Sequence, residues 1–192
     1  MCGRYQAPIE DDELEYIIDM AQAGMFDAYM SMGEIMPTMK TPVIIADKDG
    51  KNTYAAARIT GGYRMKNSPN PIINARSETL TEKPMFSRGF ERGRCIIPAS
   101  GFYEWTSQYP KKKYLFTRED EKNLYLAGVY DSYMGESRYV IITTQMHPSA
   151  RDIHDRMPVI IGRDEAESWL YDRSEALHIL SRPGGELMRR VI

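Results

Sequence analysis

The chain of 192 residues contains only two cysteines, Cys2 and Cys95, and three histidines, His147, His154 and His178. Two cysteines suggest no disulfide framework. Neither they nor the histidines show ligand spacing, so no metal is expected, and no cofactor is expected either. No apolar run approaches the roughly 18 residues that span a bilayer, and no charged-then-apolar leader precedes the fold. A cytoplasmic protein is expected, in a reducing compartment that keeps thiols free and without membrane contact. Repeats, low-complexity tracts and a convincing interdomain linker are missing as well, which leaves one domain over 1–192. A net charge of −2 excludes a protein that coats nucleic acid by bulk attraction.

The charge that is present is unevenly placed. Residues 1–35 carry one Arg and eight Asp or Glu, a net of −7, whereas residues 51–94 carry nine Lys or Arg against three Glu, a net of +6. A basic central block is either a local surface for an anionic ligand or a set of solvated loop charges. Residues 10–23 read as a helix, with acids crowding its start, an apolar stripe of Leu14, Ile17, Ile18 and Ala21, and Gly24 to end it. After Pro37 come short β-like segments at 42–46, 52–59, 71–75, 94–98, 101–106, 112–117, 123–130 and 138–144. The basic, turn-prone stretch 61–70 reads as a loop just ahead of Asn74. Helix returns at 164–171, where Asp164 and Glu167 have capping-box spacing, and again at 174–180. The expected fold is α+β: a single domain with a mostly antiparallel curved sheet or partial barrel, flanked by helices.

Cys2 follows the initiator methionine. Trimming of Met1 would leave an amine that titrates near about 8 beside a thiol that titrates near about 8.5. Together these groups trap an aldehyde, the amine as a Schiff base and the thiol by closing a thiazolidine ring. The plainer reading is an incidental cysteine at a loose terminus.

Four segments stand out: Cys2-Gly3-Arg4-Tyr5, Ile73-Asn74-Ala75-Arg76-Ser77-Glu78-Thr79, Pro98-Ala99-Ser100-Gly101-Phe102-Tyr103-Glu104-Trp105, and Ile153-His154-Asp155-Arg156-Met157-Pro158. In this order, with Lys83-Pro84-Met85-Phe86, Arg94-Cys95-Ile96-Ile97-Pro98 and Trp169-Leu170, they resemble the SRAP (SOS response-associated peptidase) family of abasic-site processing proteins. The ordered set covers nearly the whole chain.

That resemblance implies a defined activity. Members recognise abasic sites in single-stranded DNA and form a thiazolidine crosslink between the N-terminal cysteine and the ring-opened deoxyribose aldehyde, shielding the site in the SOS response. The implied enzyme is a DNA–protein crosslinking enzyme of lyase or hydrolase type. The family name adds an autopeptidase role, removal of Met1. The partner is abasic single-stranded DNA, and the protein is expected as a monomer, nucleoid-associated when bound.

Cys2 matches the nucleophile. Asn74 has an amide suited to orienting it, or it holds an Asx turn. Glu104 lies among aromatics. If it faces inward, burial favours the neutral form that a proton donor for ring opening needs; otherwise it is an ordinary ion-pair partner. His154 suits proton transfer near neutral pH. Arg4 and Arg76 match phosphate-contacting arginines, and Tyr63 and Trp105 are candidate stacking faces or core packing. The chain departs from the family where a Trp-Gly segment is usual before the Asn-Ala-Arg motif: it has Gly61-Gly62-Tyr63-Arg64-Met65. It also has Pro37-Thr38-Met39 in place of Pro-Thr-Asn. Both changes bear on the DNA-contact loop and leave the chemical groups in place. Two other readings stand beside this one. The first is a cysteine peptidase or amidase pairing Cys2 with His154, for which no oxyanion hole is identifiable. The second is a noncovalent single-strand binding module with an inert Cys2.

Overall fold

Runs such as Arg94–Ala99 and Tyr139–Thr144, apolar or small at nearly every position, suit strands buried on both faces. The structure is a computed structural model that describes residues 3–20, 29–47, 54–65, 68–119, 121–133 and 135–192. Cys2 lies outside the described residues, as do residues 21–23 of the expected first helix, Gly24, and residues 52–53 of an expected strand.

In chain order the strands are β1 (Arg4–Gln6), β2 (Glu34–Ile35), β3 (Lys40–Ala46), β4 (Tyr54–Gly61), β5 (Tyr63–Met65), β6 (Ser68–Ile72), β7 (Asn74–Arg76) and β8 (Arg94–Ala99). There follow β9 (Gly101–Trp105), β10 (Lys113–Thr117), β11 (Leu124–Tyr133), β12 (Glu136–Gln145), β13 (Arg156–Pro158), β14 (Ile160–Ile161) and β15 (Met188–Val191). The helices are α1 (Asp12–Met20), α2 (Pro84–Arg92), α3 (Ala166–Tyr171) and α4 (Arg173–Ser181).

The buried strands close on themselves in the order β12-β4-β3-β8-β11 and back to β12. All of these pairings are antiparallel except β12 with β4. The ring closes through a short parallel contact, with Arg138 opposite Thr60 and Tyr139 opposite Gly61. The tail of the ring is opened by β13 and β14, which enter between β11 and β12. There Val159 N–H donates to Ile142 O and Ala127 N–H donates to Val159 O, each at 2.9 Å. Inside the ring Gly128 is required for close approach: a Cβ there would run into Ile97 and the Cys95 thiol. A second sheet, β15-β10-β9-β1-β2, is antiparallel throughout. The expected α+β fold with a curved, largely antiparallel sheet is what forms, with the barrel fully closed.

Several local expectations are corrected. The stretch 61–70 is not all loop, since β5 and β6 pair as a short ribbon within it. Residues 84–92 form a helix that the strand-dominated pattern concealed. Pro84 opens it, and Phe86 and Phe90, four residues apart, bury one face. The capping box ahead of α3 uses Glu165, whose Oε2 accepts the Gly162 N–H at 2.8 Å, instead of the Asp164–Glu167 pair. The basic block is partly structural. Arg94 is buried and donates to Phe90 O, Trp169 O and Leu170 O, tying the ends of α2 and α3 together. Arg88 is forked onto Asp131. Both cations are consumed by the fold.

Candidate active site

β1 enters the second sheet beside β9, with Arg4 opposite Tyr103, Tyr5 opposite Phe102 and Gln6 opposite Gly101. On the other side of β9, Lys113 stands opposite Trp105 and Tyr114 opposite Glu104. Directly opposed residues share a face and successive residues alternate. Tyr5, Phe102, Glu104 and Phe116 therefore face inward, where Phe102 and Phe116 stack at 5.0 Å. Arg4, Gln6, Glu34, Tyr103, Trp105 and Lys113 face outward. The aromatics flanking Glu104 in sequence thus lie on the far side of the sheet from its carboxylate.

Glu104 is 3 % exposed. Burial pushes its carboxyl up to about 7, and the nearby Asp155 carboxylate adds to the rise. His154 lies on the turn before β13, with Nε2 4.0 Å from Glu104 Oε2. Its Nδ1 accepts the Arg156 backbone N–H at 3.0 Å, and in that tautomer the Nε2–H is directed at Glu104. Asp155 Oδ1 lies 3.1 Å from the same Nδ1, which suits the ring once it takes up a second proton. Burial draws the His154 pKa below its ordinary value, and Asp155 opposes the shift. At neutral pH the pair is a partly protonated carboxyl facing a neutral imidazole.

Asn74 opens β7, which lies parallel to β12 with Asn74 opposite Ile141. Its Nδ2 donates to Ile141 O at 3.4 Å. A small hollow is lined by Gly3, Tyr5, Gly61, Ile73, Tyr139 and Ile141, next to Asn74 in the chain but without Asn74, Glu104 or His154 in its wall. Beneath it, Tyr5 and Tyr139 hydroxyls hydrogen-bond at 2.7 Å, with Thr41 Oγ1 3.1 Å from Tyr139. At the rim, Thr38 takes the left-handed region (φ 74), uncommon for a β-branched residue.

The other expected residues divide. Arg76 is exposed at the end of β7 and makes no ion pair among the described residues. Arg4 is committed to a cluster: Nη1 donates to Glu34 Oε1 at 3.0 Å, and its guanidinium lies 5.4 Å from the Trp105 ring centre. Trp105 is half-buried beneath Arg4 and Lys113. Tyr63 corrects its expected stacking role. It is 0 % exposed and packs against Phe86 with ring centres 5.9 Å apart, so it offers no face to a base. Sequence reasoning missed Glu78 and Arg156 although both lay inside the motifs. Arg156 forks onto Glu78 at 2.6 and 2.8 Å and also donates to Thr143 O. Arg156's hydrogen bonds hold the Glu78 carboxyl below its usual range. This pair fastens the Asn74 segment to the His154 segment.

A larger cleft of 790 Å³, lined by residues including Glu78, His147, Leu177 and Arg182, does not take in Asn74, Glu104 or His154. The Glu104–His154 pair lies outside that cleft. Among the described residues no three His, Cys, Asp or Glu side chains converge on a metal position, and no helix is long and apolar enough to cross a membrane.

The structure brings Glu104 and His154, from two distant motifs, within 4.0 Å of each other, and it places Asn74 against Ile141 of β12. The model of the SOS response associated peptidase (SRAP) family matches residues 1–189. The chain belongs to the SRAP family. It is 33 % identical over 188 residues to the abasic site processing protein YoaM of Bacillus subtilis, spanning 88 % of this chain and 79 % of that protein. It is 30 % identical over 176 residues to the abasic site processing protein YedK of Escherichia coli, again spanning 88 % and 79 %. A solved structure from Bacteroides thetaiotaomicron superposes with a TM-score of 0.75 at 22 % identity, covering 98 % of this chain and 91 % of that one. That likeness bears on the fold, which is the SRAP fold.

Proposed function

We propose that this SRAP protein processes abasic sites in single-stranded DNA by crosslinking to them through Cys2 once Met1 has been removed. The abasic deoxyribose opens to an aldehyde when its ring oxygen receives a proton. The free amine of Cys2 then condenses with the aldehyde carbon and loses water to form a Schiff base. The thiol adds to the same carbon, returns its proton to the nitrogen, and closes a thiazolidine. No electrons leave the system and no cofactor takes part.

The observation that carries this reading is the buried Glu104 carboxyl, raised to about 7 and facing a neutral His154 across 4.0 Å, at the sheet end where β1 begins. Glu104 protonates the sugar oxygen, and His154 relays protons to and from the amine and the departing water. Asn74 orients the cysteine against the sugar, and Arg76, exposed beside it, contacts a phosphate. The names of the relatives support the substrate, and the absence of strong net charge accords with a ligand held by a local site. The reading also places the crosslink in the DNA damage response.

The test is incubation of Met1-free protein with a single-stranded oligonucleotide bearing one abasic site, followed by denaturing electrophoresis. A covalent adduct is expected that disappears with Cys2→Ala and does not form when Met1 is retained. A noncovalent shift indifferent to Cys2→Ala, or peptide turnover without adduct, would overturn the proposal.

A further inference from the structure

On the outer face of the second sheet, two cations from different strands grip one carboxylate. Glu34 on β2 accepts from Arg4 through Oε1 at 3.0 Å and from Lys113 through Oε2 at 2.6 Å. Burial works against its ionisation, yet the hydrogen bonds from Lys113 and Arg4 outweigh it and hold the carboxyl below its usual range. Both cations rest on aromatic rings: Arg4 lies 5.4 Å from Trp105, and Lys113 lies 4.0 Å from Tyr103 and 5.6 Å from Trp105. The rings and the strand register fix the two nitrogens relative to each other, so the clamp is built into the sheet and not improvised by loose side chains. Lys111 and Lys112, both exposed, continue the positive charge along the β9–β10 turn.

The clamp also lies close to the site. Arg4 is two residues from Cys2, at most ~7 Å of extended chain, and Lys113 is the register partner of the residue after Glu104. On the single-strand reading, a strand whose abasic sugar meets Cys2 carries its flanking phosphate within that chain length of Arg4. Two cationic donors on two oxygens of one anion are the arrangement that two non-bridging phosphate oxygens require.

We infer that Arg4 and Lys113 form a subsite for a backbone phosphate flanking the abasic nucleotide, and that Glu34 occupies it in the free protein as a resident anion that the phosphate displaces. This rests on the single-strand reading above. It adds Lys113 as a phosphate-binding residue and gives Glu34 the role of a built-in competitor, which weakens binding wherever no strand is threaded across the rim.

The experiment is a salt titration of binding to an undamaged single-stranded oligonucleotide by fluorescence anisotropy, which separates binding from crosslinking. Glu34→Gln is expected to tighten binding roughly three- to tenfold at low salt. It is also expected to steepen the log–log salt slope by about 0.7 to 1.4, because one or two cations then release counterions. Adding Lys113→Gln removes about half of that increment, and Lys113→Arg preserves it. Thermal melting of each variant reports on folding. If Glu34→Gln does not fold, Lys113→Gln in the otherwise unchanged protein is expected to weaken binding and Lys113→Arg to preserve it. Unchanged or weaker binding by a folded Glu34→Gln, or wild-type binding by Lys113→Gln, would overturn the subsite and leave the single-strand reading standing. If the unaltered protein shows no salt-dependent binding while abasic DNA is still crosslinked, the subsite fails alone. If neither occurs, both fail.

Discussion

The two faces of β9 have opposite characters although they alternate residue by residue. On the inner face Phe102 and Glu104 lie in an apolar interior, where a carboxyl is costly to ionise. On the outer face Tyr103 and Trp105 support Arg4 and Lys113, where charge is plentiful and solvent is near. On the proposed function, one five-residue strand would serve two tasks. Proton transfer needs a group whose pKa has been moved by burial, whereas holding a phosphate needs cations that stay charged and reachable. A strand delivers both from adjacent positions because its side chains alternate.

The largest effect expected on this contrast is Glu104→Gln, which should slow adduct formation by roughly 100-fold or more while oligonucleotide affinity changes little. With a proton donor titrating near 7 and an amine near about 8, the rate should be bell-shaped in pH. Its descending limb should vanish in the variant; a limb that persists assigns the proton to another group. His154→Ala should likewise slow the adduct more than it weakens binding, and equal losses would remove His154 from the proton relay.

A smaller effect lies in stability. The folded carboxyl titrates at about 7 and the unfolded one at about 4.3. Between those values the folded state keeps a proton that the unfolded state has released, so stability falls as pH rises through the window. Glu104→Gln should therefore be more stable than the parent at pH 8, by up to ~4 kcal/mol, with the difference shrinking to little below pH 4. Urea unfolding at both pH values measures this, and an equal difference at each would mean that burial of charge is not its cause. The smallest effect belongs to the outer face. Trp105→Ala should raise the half-saturating DNA concentration by about fivefold, roughly 1 kcal/mol for the lost support of two cations. A main effect on the maximal rate would show that the two faces are not separate.

Much of this was legible beforehand. Most of the β segments expected from residue 42 to residue 144 are in place because β-branched and aromatic runs bounded by Gly, Pro, Asn and Asp carry their own signal; the one expected at 71–75 is broken at Ile73 between β6 and β7, which pair in different sheets. Asp172 caps α4 by accepting from the Ser174 and Glu175 N–H groups, a local arrangement of the kind sequence reveals. The helix at Pro84–Arg92 was not legible, since its apolar residues are few and its helical state is stabilised by packing on β11. Tyr63 read as a binding aromatic because nothing in its polar, basic neighbourhood announces that Phe86 and α2 cover it. The Glu78–Arg156 fork was hidden for a related reason: it joins positions 78 residues apart, and no local pattern marks a pair that only the barrel brings together.

The sequence by itself determined the candidate groups and the family: the Cys2 thiol, an amide, a carboxyl and an imidazole in a specific order, with most of the strands that carry the last three. Tertiary structure decided which way each group faces and which cations remain available. Closure of the barrel and the pairing of β1 with β9 bury Glu104, set it against His154, and turn Trp105 outward. Arg94 and Arg88 are committed to the fold, whereas Arg76 stays open to solvent. Charge and hydrogen-bonding capacity belong to the residue type, but burial and register are properties of the assembled chain.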